Sequence, residues 1–132
     1  MAYADRHLWS AEFDGSSTGD KAYFGGFTNR VQIHRISVAL LDATTGAGEV
    51  VFDSSNSAGT RGSADVGTIT QDTGEAAGHI SWDQPATDPF ILNIGEAVIV
   101  EVTDAFDALA IAGIEYSILD QSLDMVTNDE EK

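Results

Sequence analysis

Along most of this chain apolar residues occupy every second position, and glycines interrupt the alternation at short intervals. Residues 7–13 show the pattern, since Trp9 and Phe13 fall on one face of a strand while Ser10 and Glu12 fall on the other. A period of two is the geometry of a β-strand, in which successive side chains point to opposite faces. Stretches with helical periodicity are nearly absent, and the sequence therefore predicts an all-β protein.

The alternation divides into about eight strands at a spacing of roughly 8–12 residues. We predict them at residues 7–13, 31–41, 49–53, 66–70, 79–82, 90–94, 97–102 and 108–119. Many short strands joined by turns are typical of two packed antiparallel sheets. We expect an antiparallel β-sandwich or jelly roll rather than a barrel or a parallel sheet.

The strand at 31–41 changes phase, because its apolar residues are odd-numbered up to Ile33 and even-numbered from Ile36. A slip of one residue moves side chains to the opposite face of a sheet. The change near His34 and Arg35 predicts either a β-bulge or a strand that passes from one sheet to the other.

The last predicted strand shows a similar change between Ile111 and Ile114, with Gly113 at the point where a second bulge is expected. An alternative stays open here. Thr103 could cap a helix that ends at Gly113.

Loops complete the organisation. Residues 54–65 are rich in serine and glycine, and residues 83–89 hold both prolines. Gly95 and Glu96 are expected to form a two-residue hairpin between the strands at 90–94 and 97–102. We assign residues 1–119 to a single sandwich domain and residues 120–132 to an acidic tail that is disordered at its end.

The charge of the chain is strongly negative: 22 acidic residues outnumber six basic ones, for a net charge of −16. Nucleic acid is not an expected partner, because phosphate contacts need clustered lysine and arginine. Residues 1–61 hold seven acidic and five basic residues, whereas residues 62–132 hold fifteen acidic residues and only Lys132. The first half is therefore expected to face a partner and the second half to face solvent.

Catalytic and metal-binding patterns are missing from the sequence. His7, His34 and His79 lie on different predicted strands without ligand spacing, and there is no cysteine. Asp14 and Asp20 flank a turn that lacks the calcium-loop pattern. No apolar run is long enough for a membrane span, and no leader sequence is evident. We expect a protein without enzymatic activity, cofactor, metal or membrane partner, made in a cytoplasm.

The aromatic segment at 23–27 is the stretch most suggestive of an interface. Tyr23, Phe24 and Phe27 lie between Lys21 and Arg30, and aromatic residues and arginine are enriched at the centres of protein interfaces. The alternative is that Phe24 and Phe27 close one end of the sandwich core.

Two pairs of segments resemble the small β-sandwich decoration, or cement, proteins that coat the capsids of tailed bacteriophages. The first pair is Arg35-Ile-Ser-Val-Ala-Leu-Leu-Asp-Ala-Thr-Thr-Gly and Glu49-Val-Val-Phe-Asp-Ser, and the second is Gly95-Glu-Ala-Val-Ile-Val-Glu-Val and Ile114-Glu-Tyr-Ser-Ile. The resemblance covers residues 30–119. It implies a structural protein of the virion surface, assembled in the host cytoplasm, that binds the capsid shell or itself as a homotrimer.

If the chain decorates a shell, the charge distribution places its contacts in residues 1–61. The expected contact residues are the aromatic and arginine side chains Tyr3, Arg6, Tyr23, Phe24, Arg30 and Arg35. The alternative function is a β-sandwich module that binds carbohydrate or calcium. An exposed Trp9 or Trp82 beside a groove would favour it.

Overall fold

The computed structural model describes residues 5–62 and 65–119, and this part of the chain contains nine strands and no helix. The strands are β1 Arg6–Asp14, β2 Gly19–Phe24, β3 Val31–Leu40, β4 Gly48–Ser55, β5 Gly67–Gln71, β6 Ile80–Asp83, β7 Phe90–Leu92, β8 Ala97–Asp104 and β9 Leu109–Ile118. The all-β prediction is confirmed. The alternative helix over 103–113 is wrong, because that stretch is the end of β8, a turn and the start of β9.

The strands form two antiparallel sheets that pack face to face. The five-stranded sheet has the order β1-β9-β3-β6, with β7 also paired to β3, and the four-stranded sheet has the order β2-β8-β4-β5. β6 pairs with residues 36–39 of β3 and β7 with residues 31–33. The two short strands therefore act as one strand that residues 84–89 interrupt. When β6 and β7 are counted as one strand, the strand order is that of an eight-stranded jelly roll.

The bulge predicted in β3 is confirmed. The register of β3 against β9 shifts between Ile33 and Arg35, and the apolar residues on both sides of the shift, Ile33 and Ile36 among them, are buried. The extra residue is His34. Because two residues of β3 then oppose one of β9, His34 and Arg35 both lie on the outer face of the five-stranded sheet.

The bulge predicted at Gly113 is wrong. β9 pairs with β1 over its whole length without a register shift. Ala110 and Ala112 face the core, whereas Leu109 and Ile111 face outward. Gly113 also faces outward, where an added Cβ would lie 2.4 Å from the Oγ atom of Ser37.

Two further expectations differ from the structure. β2 was not predicted as a strand, although its residues alternate between the core and the surface. The hairpin predicted around Gly95 and Glu96 is wrong, because β7 and β8 belong to different sheets. The turn instead carries the chain across the sandwich. It is closed by a hydrogen bond from the backbone N–H of Asn93 to Oε1 of Glu96, at 2.7 Å.

The core lies between the sheets and contains a cluster of aromatic rings at one end. Phe24 is 1% exposed, and its ring centroid lies 5.4 Å from that of Trp9 and 5.0 Å from those of Phe27 and Tyr116. Offset and edge-to-face contacts of this kind stabilise a core beyond the area they bury. In the described residues, no helix is long and apolar enough to cross a membrane.

Candidate binding face on the five-stranded sheet

The outer face of the five-stranded sheet carries exposed apolar side chains from three strands, β1, β6 and β9. Leu8 is 72% exposed, Ile80 61%, Trp82 57% and Leu109 41%. We call the following set the apolar face: Leu8, Ala39, Ile80, Trp82, Leu109 and Ile111. Contiguous exposed apolar area of this kind marks contact sites in soluble proteins.

Strand register brings the residues of the apolar face side by side. Ala39 of β3 stands between Ile111 of β9 and Ile80 of β6. In the next row Ser37 stands between Gly113 and Trp82. Because the residues at the middle of these rows are small, the larger side chains stand around a shallow centre.

A charged cluster borders the apolar face. The Nη1 atom of Arg6 donates to Oε1 of Glu115 at 2.7 Å, and the Nη2 atom of Arg35 donates to Oε2 at 3.1 Å. The hydrogen bond from Arg6 is the main cause that lowers the pKa of Glu115. The guanidinium of Arg35 also lies over the ring of Trp82, with its carbon 5.3 Å from the centroid. One face of that ring is therefore already covered.

A pocket of about 310 Å³ lies at the other side of this cluster. Its lining residues are Arg6, Gln32, His34, Gln84, Pro85 and Asp88. The Nε2 atom of His34 is 2.7 Å from the Oγ atom of Ser117, which is 4% exposed. Burial, and then the charge of Arg6, lower the pKa of His34. The imidazole is consequently neutral at pH 7.

The structure brings together only part of the set of contact residues predicted from sequence. Arg6 and Arg35 meet at Glu115 on the outer face of the five-stranded sheet. Tyr23 is 60% exposed but lies on β2, in the other sheet. Arg30 is exposed in the connection between β2 and β3, and Tyr3 lies outside the described residues.

Phe24 requires a correction. It is buried in the aromatic cluster of the core, so its prediction as a surface contact is wrong. The alternative, that Phe24 helps to close the sandwich, is confirmed. Alternation along β2 explains the difference, because Tyr23 and Phe24 are adjacent and must point to opposite faces.

The two halves of the chain do not occupy separate surfaces of the protein. The difference in their charges therefore does not indicate which surface faces a partner. Strands from residues 1–61 alternate with strands from residues 62–132 in the orders β1-β9-β3-β6 and β2-β8-β4-β5. Each sheet face therefore mixes both halves. A contact surface cannot be assigned to residues 1–61 alone.

Sequence reasoning missed Ile80, Leu109, Gln84 and Asp88 as surface features. A signal was present at the start of β9, where Leu109 and Ile111 occupy odd positions and Ala110 and Ala112 even ones. The sequence was interpreted instead as a change of phase at Gly113. The structure shows that small residues pack inward there, and bulky ones remain outside.

The outer face of the four-stranded sheet carries a second charged cluster, around Arg61. Nη2 of Arg61 lies 2.5 Å from Oδ2 of Asp20, and Nη1 lies 3.1 Å from Oε1 of Glu101. Asp53 is 5% exposed, and its Oδ1 atom has no hydrogen-bond partner among the described residues. Burial, and then the charge of Asp65, raise the pKa of Asp53.

This raised pKa predicts a pH-dependent effect of Asp53→Asn. A carboxyl group with a higher pKa in the folded than in the unfolded chain destabilises the fold when ionised, and that cost disappears as pH falls through the folded pKa. The variant should therefore have a higher free energy of unfolding than the wild type at pH 7. The gain should shrink as pH falls to about 4, near the pKa of an unperturbed aspartate.

Urea denaturation at several pH values measures this difference. The matched control is Asp104→Asn, an exposed carboxylate of the same sheet, which should change the free energy of unfolding by no more than about 0.5 kcal/mol. A loss of stability for Asp53→Asn at pH 7 would show that the ionised carboxylate stabilises the fold.

Metal binding has no visible site in residues 5–62 and 65–119, where no group of three histidine, cysteine or acidic side chains could hold an ion. Asp14 lies at the turn that lacks the calcium-loop pattern. Its Oδ1 atom accepts a hydrogen bond from the backbone N–H of Ser16 at 2.9 Å. That is the ordinary hydrogen bond of an aspartate in a turn.

Comparisons with known proteins identify the fold. No protein-family model matches the chain, and no curated protein matches it in sequence. Among solved structures, the SPBc2 prophage-derived protein YomS is similar with a TM-score of 0.52 and 13% identity, over 89% of this chain and 99% of that one.

Two virus structures show looser similarity. The structure of the Gx strain of infectious bursal disease virus has a TM-score of 0.39 and 14% identity, over 87% of this chain and 30% of that one. The coat protein dimer of Tobacco streak virus has a TM-score of 0.34 and 11% identity, over 86% and 88%. The likeness to YomS shows a shared fold, and the two virus structures add nothing to that conclusion.

Proposed function

We propose that this chain is a non-enzymatic structural protein of a virion, a decoration protein that binds the outer surface of a phage head through its apolar face. The observation that carries the proposal is the set of exposed apolar side chains on the outer face of one sheet. Burial of these side chains against a partner stabilises the complex, by on the order of 1.5–3 kcal/mol for each large side chain that becomes fully buried.

The composition of the face suits a protein partner. Trp82 supplies a large aromatic surface, and Arg6 and Arg35 supply guanidinium groups beside it. Tryptophan and arginine are the residue types that most often dominate the energy of protein interfaces. Two of the six basic residues of a chain with net charge −16 therefore border the apolar face. They can pair with carboxylates of a partner that docks there.

The fold is compatible with this role. The jelly roll is frequent in viral capsid proteins and also in lectins, and the similar YomS is a prophage-derived protein. Since one fold serves several functions, the proposal depends on the apolar face rather than on the fold.

A negative charge introduced on the apolar face should remove the protein from particles. Trp82 and Tyr23 form a matched pair, since both are exposed aromatic residues, 57% and 60%, on opposite sheets. Trp82→Asp should lower occupancy on purified particles by at least about tenfold, because an interface would bury an unpaired carboxylate. Tyr23→Asp should change occupancy less than about twofold.

The measurement is quantitative mass spectrometry of particles produced from the genome that encodes the chain, with each variant replacing the wild type. Urea denaturation of the free variants checks that both remain folded. Absence of the wild-type chain from particles would refute the proposed function. If the Trp82→Asp variant has normal occupancy and the Tyr23→Asp variant is missing from particles, the docking surface lies on the four-stranded sheet instead.

The expectation of a homotrimer is a finer part of the same proposal. The chain has a mass of 14.0 kDa, and native mass spectrometry of the free protein should show a species three times as heavy. If the free protein is a monomer at micromolar concentrations, trimers form only on the particle surface.

A further inference from the structure

The polar pocket beside the charged cluster arises from two irregularities of the jelly roll that meet at one place. The bulge in β3 turns His34 onto the outer face next to Arg35. Directly opposite, residues 84–89 interrupt the strand formed by β6 and β7, and this loop contributes Gln84, Pro85 and Asp88 to the wall. Bulges next to binding sites commonly redirect a side chain in this way.

The lining of the pocket contains both hydrogen-bond donors and hydrogen-bond acceptors. Gln32 and Gln84 each carry an amide that both donates and accepts, Asp88 only accepts, and Arg6 only donates. In residues 5–62 and 65–119, the side chains of Gln32, Gln84 and Asp88 make no hydrogen bond to another protein group. These groups are free to bind a ligand in place of water.

The charge of the pocket excludes several classes of ligand. Arg6 is paired with Glu115 at 2.7 Å, and Arg35 shares the same carboxylate, while burial lowers the pKa of His34. With Asp88 in the lining, two arginines and two carboxylates balance, so the site favours neither an anion nor a cation. A metal ion would lack ligands, because no group of three suitable side chains exists in the described residues. A hydrocarbon would leave the lining amides and the carboxylate without partners.

We propose that this pocket binds a neutral saccharide unit. Vicinal hydroxyl groups both donate and accept, as the two amides and the carboxylate require, and they carry no charge. A volume of about 310 Å³ is at the lower end of the range of ligand sites, which suits one sugar ring. The imidazole of His34 belongs to the lining, and its Nε2 atom lies 2.7 Å from the Oγ atom of the buried Ser117, which fixes the ring.

The site is separate from the residues that test the decoration role. None of the residues of the apolar face lines the pocket. Arg6 lines the pocket and also borders the apolar face, so each test uses residues of one site alone: Trp82 for docking, and Gln84 and Asp88 for sugar binding. The two proposals fail independently.

Titration of the isotope-labelled full chain, followed by nuclear magnetic resonance, tests the inference. The probes are glucose, galactose and N-acetylglucosamine, with inorganic phosphate and sialic acid as charged probes. At least one neutral sugar should show saturable binding with a dissociation constant on the order of 1 mM. Shifts should concentrate at the pocket residues of β3 and of the 84–89 loop.

Variants of the loop provide the control. Gln84→Ala and Asp88→Ala should each weaken binding by about tenfold, since each removes a hydrogen bond to a bound ligand. Thr87→Ala lies in the same loop but outside the lining and should bind as the wild type does. Saturable binding of phosphate or sialic acid in preference to the neutral sugars would overturn the proposal. Lack of saturation by any neutral sugar at about one hundred times the expected dissociation constant would also overturn it.

Discussion

Replacement of Phe24 by alanine is expected to lower the free energy of unfolding by about 3–5 kcal/mol, the usual cost of removing a buried phenylalanine side chain. Phe24 is 1% exposed and contacts the rings of Trp9, Phe27 and Tyr116, all within 5.4 Å between centroids. Alanine leaves a cavity that three large rings border. Because these rings come from β1, β9 and the connection between β2 and β3, they cannot all collapse into it.

Tyr23→Ala is the matched control for this effect. Tyr23 precedes Phe24 in β2 and is 60% exposed, so the change should alter the free energy of unfolding by no more than about 0.5 kcal/mol. Urea denaturation followed by circular dichroism measures both variants. Similar stabilities of the two variants would mean that β2 does not pack as the structure shows.

Gly48→Ala is the second change with a large expected effect. An added Cβ at Gly48 would lie 2.3 Å from the backbone carbonyl oxygen of Asp104 and 2.8 Å from Cβ of Phe106. A backbone oxygen cannot rotate away as a side chain can, so the start of β4 must separate from the end of β8. Overpacking of this kind costs about 1–3 kcal/mol or more.

Gly46→Ala is the control, two residues earlier in the chain. Its added Cβ would meet nothing closer than 3.7 Å. The variant should keep the wild-type free energy of unfolding or gain up to about 1 kcal/mol, because alanine reduces the freedom of the unfolded chain. Equal stability of the two variants in urea denaturation would contradict the close approach of β4 and β8.

The period-two pattern was enough to predict the fold class and most strands, because each strand buries one face and exposes the other. The bulge in β3 was predictable for the same reason. Its core-facing residues are all valine, isoleucine or leucine, and their change of phase between Ile33 and Ile36 is visible in the sequence. In the first part of β9 the core-facing residues are Ala110 and Ala112, so the bulkier Leu109 and Ile111 gave a false phase.

Strand partners could not be predicted, because they depend on contacts between residues far apart in the chain. The segments at 90–94 and 97–102 are neighbours in sequence with a glycine between them, which favours a hairpin. In the structure β7 and β8 pair with different sheets. The interleaving of the two chain halves has the same origin, and it removes the basis for assigning a contact surface to residues 1–61.

The candidate site was predicted only in part. Arg6 and Arg35 were both predicted as contact residues, and the structure places them together on one face, where both bind Glu115. Their common partner Glu115 lies 80 residues beyond Arg35. The pocket requires a bulge in one strand and an interruption in another, and no local pattern relates the two.

The central claim, that the apolar face docks on a phage head, is tested most directly by hydroxyl-radical footprinting of the chain in intact particles and in free solution. The account predicts that Leu8, Ile80 and Trp82 become strongly protected in particles, while Tyr23 on the opposite sheet keeps its reactivity. Equal reactivity of Trp82 in the two states, with protection of Tyr23, would contradict it.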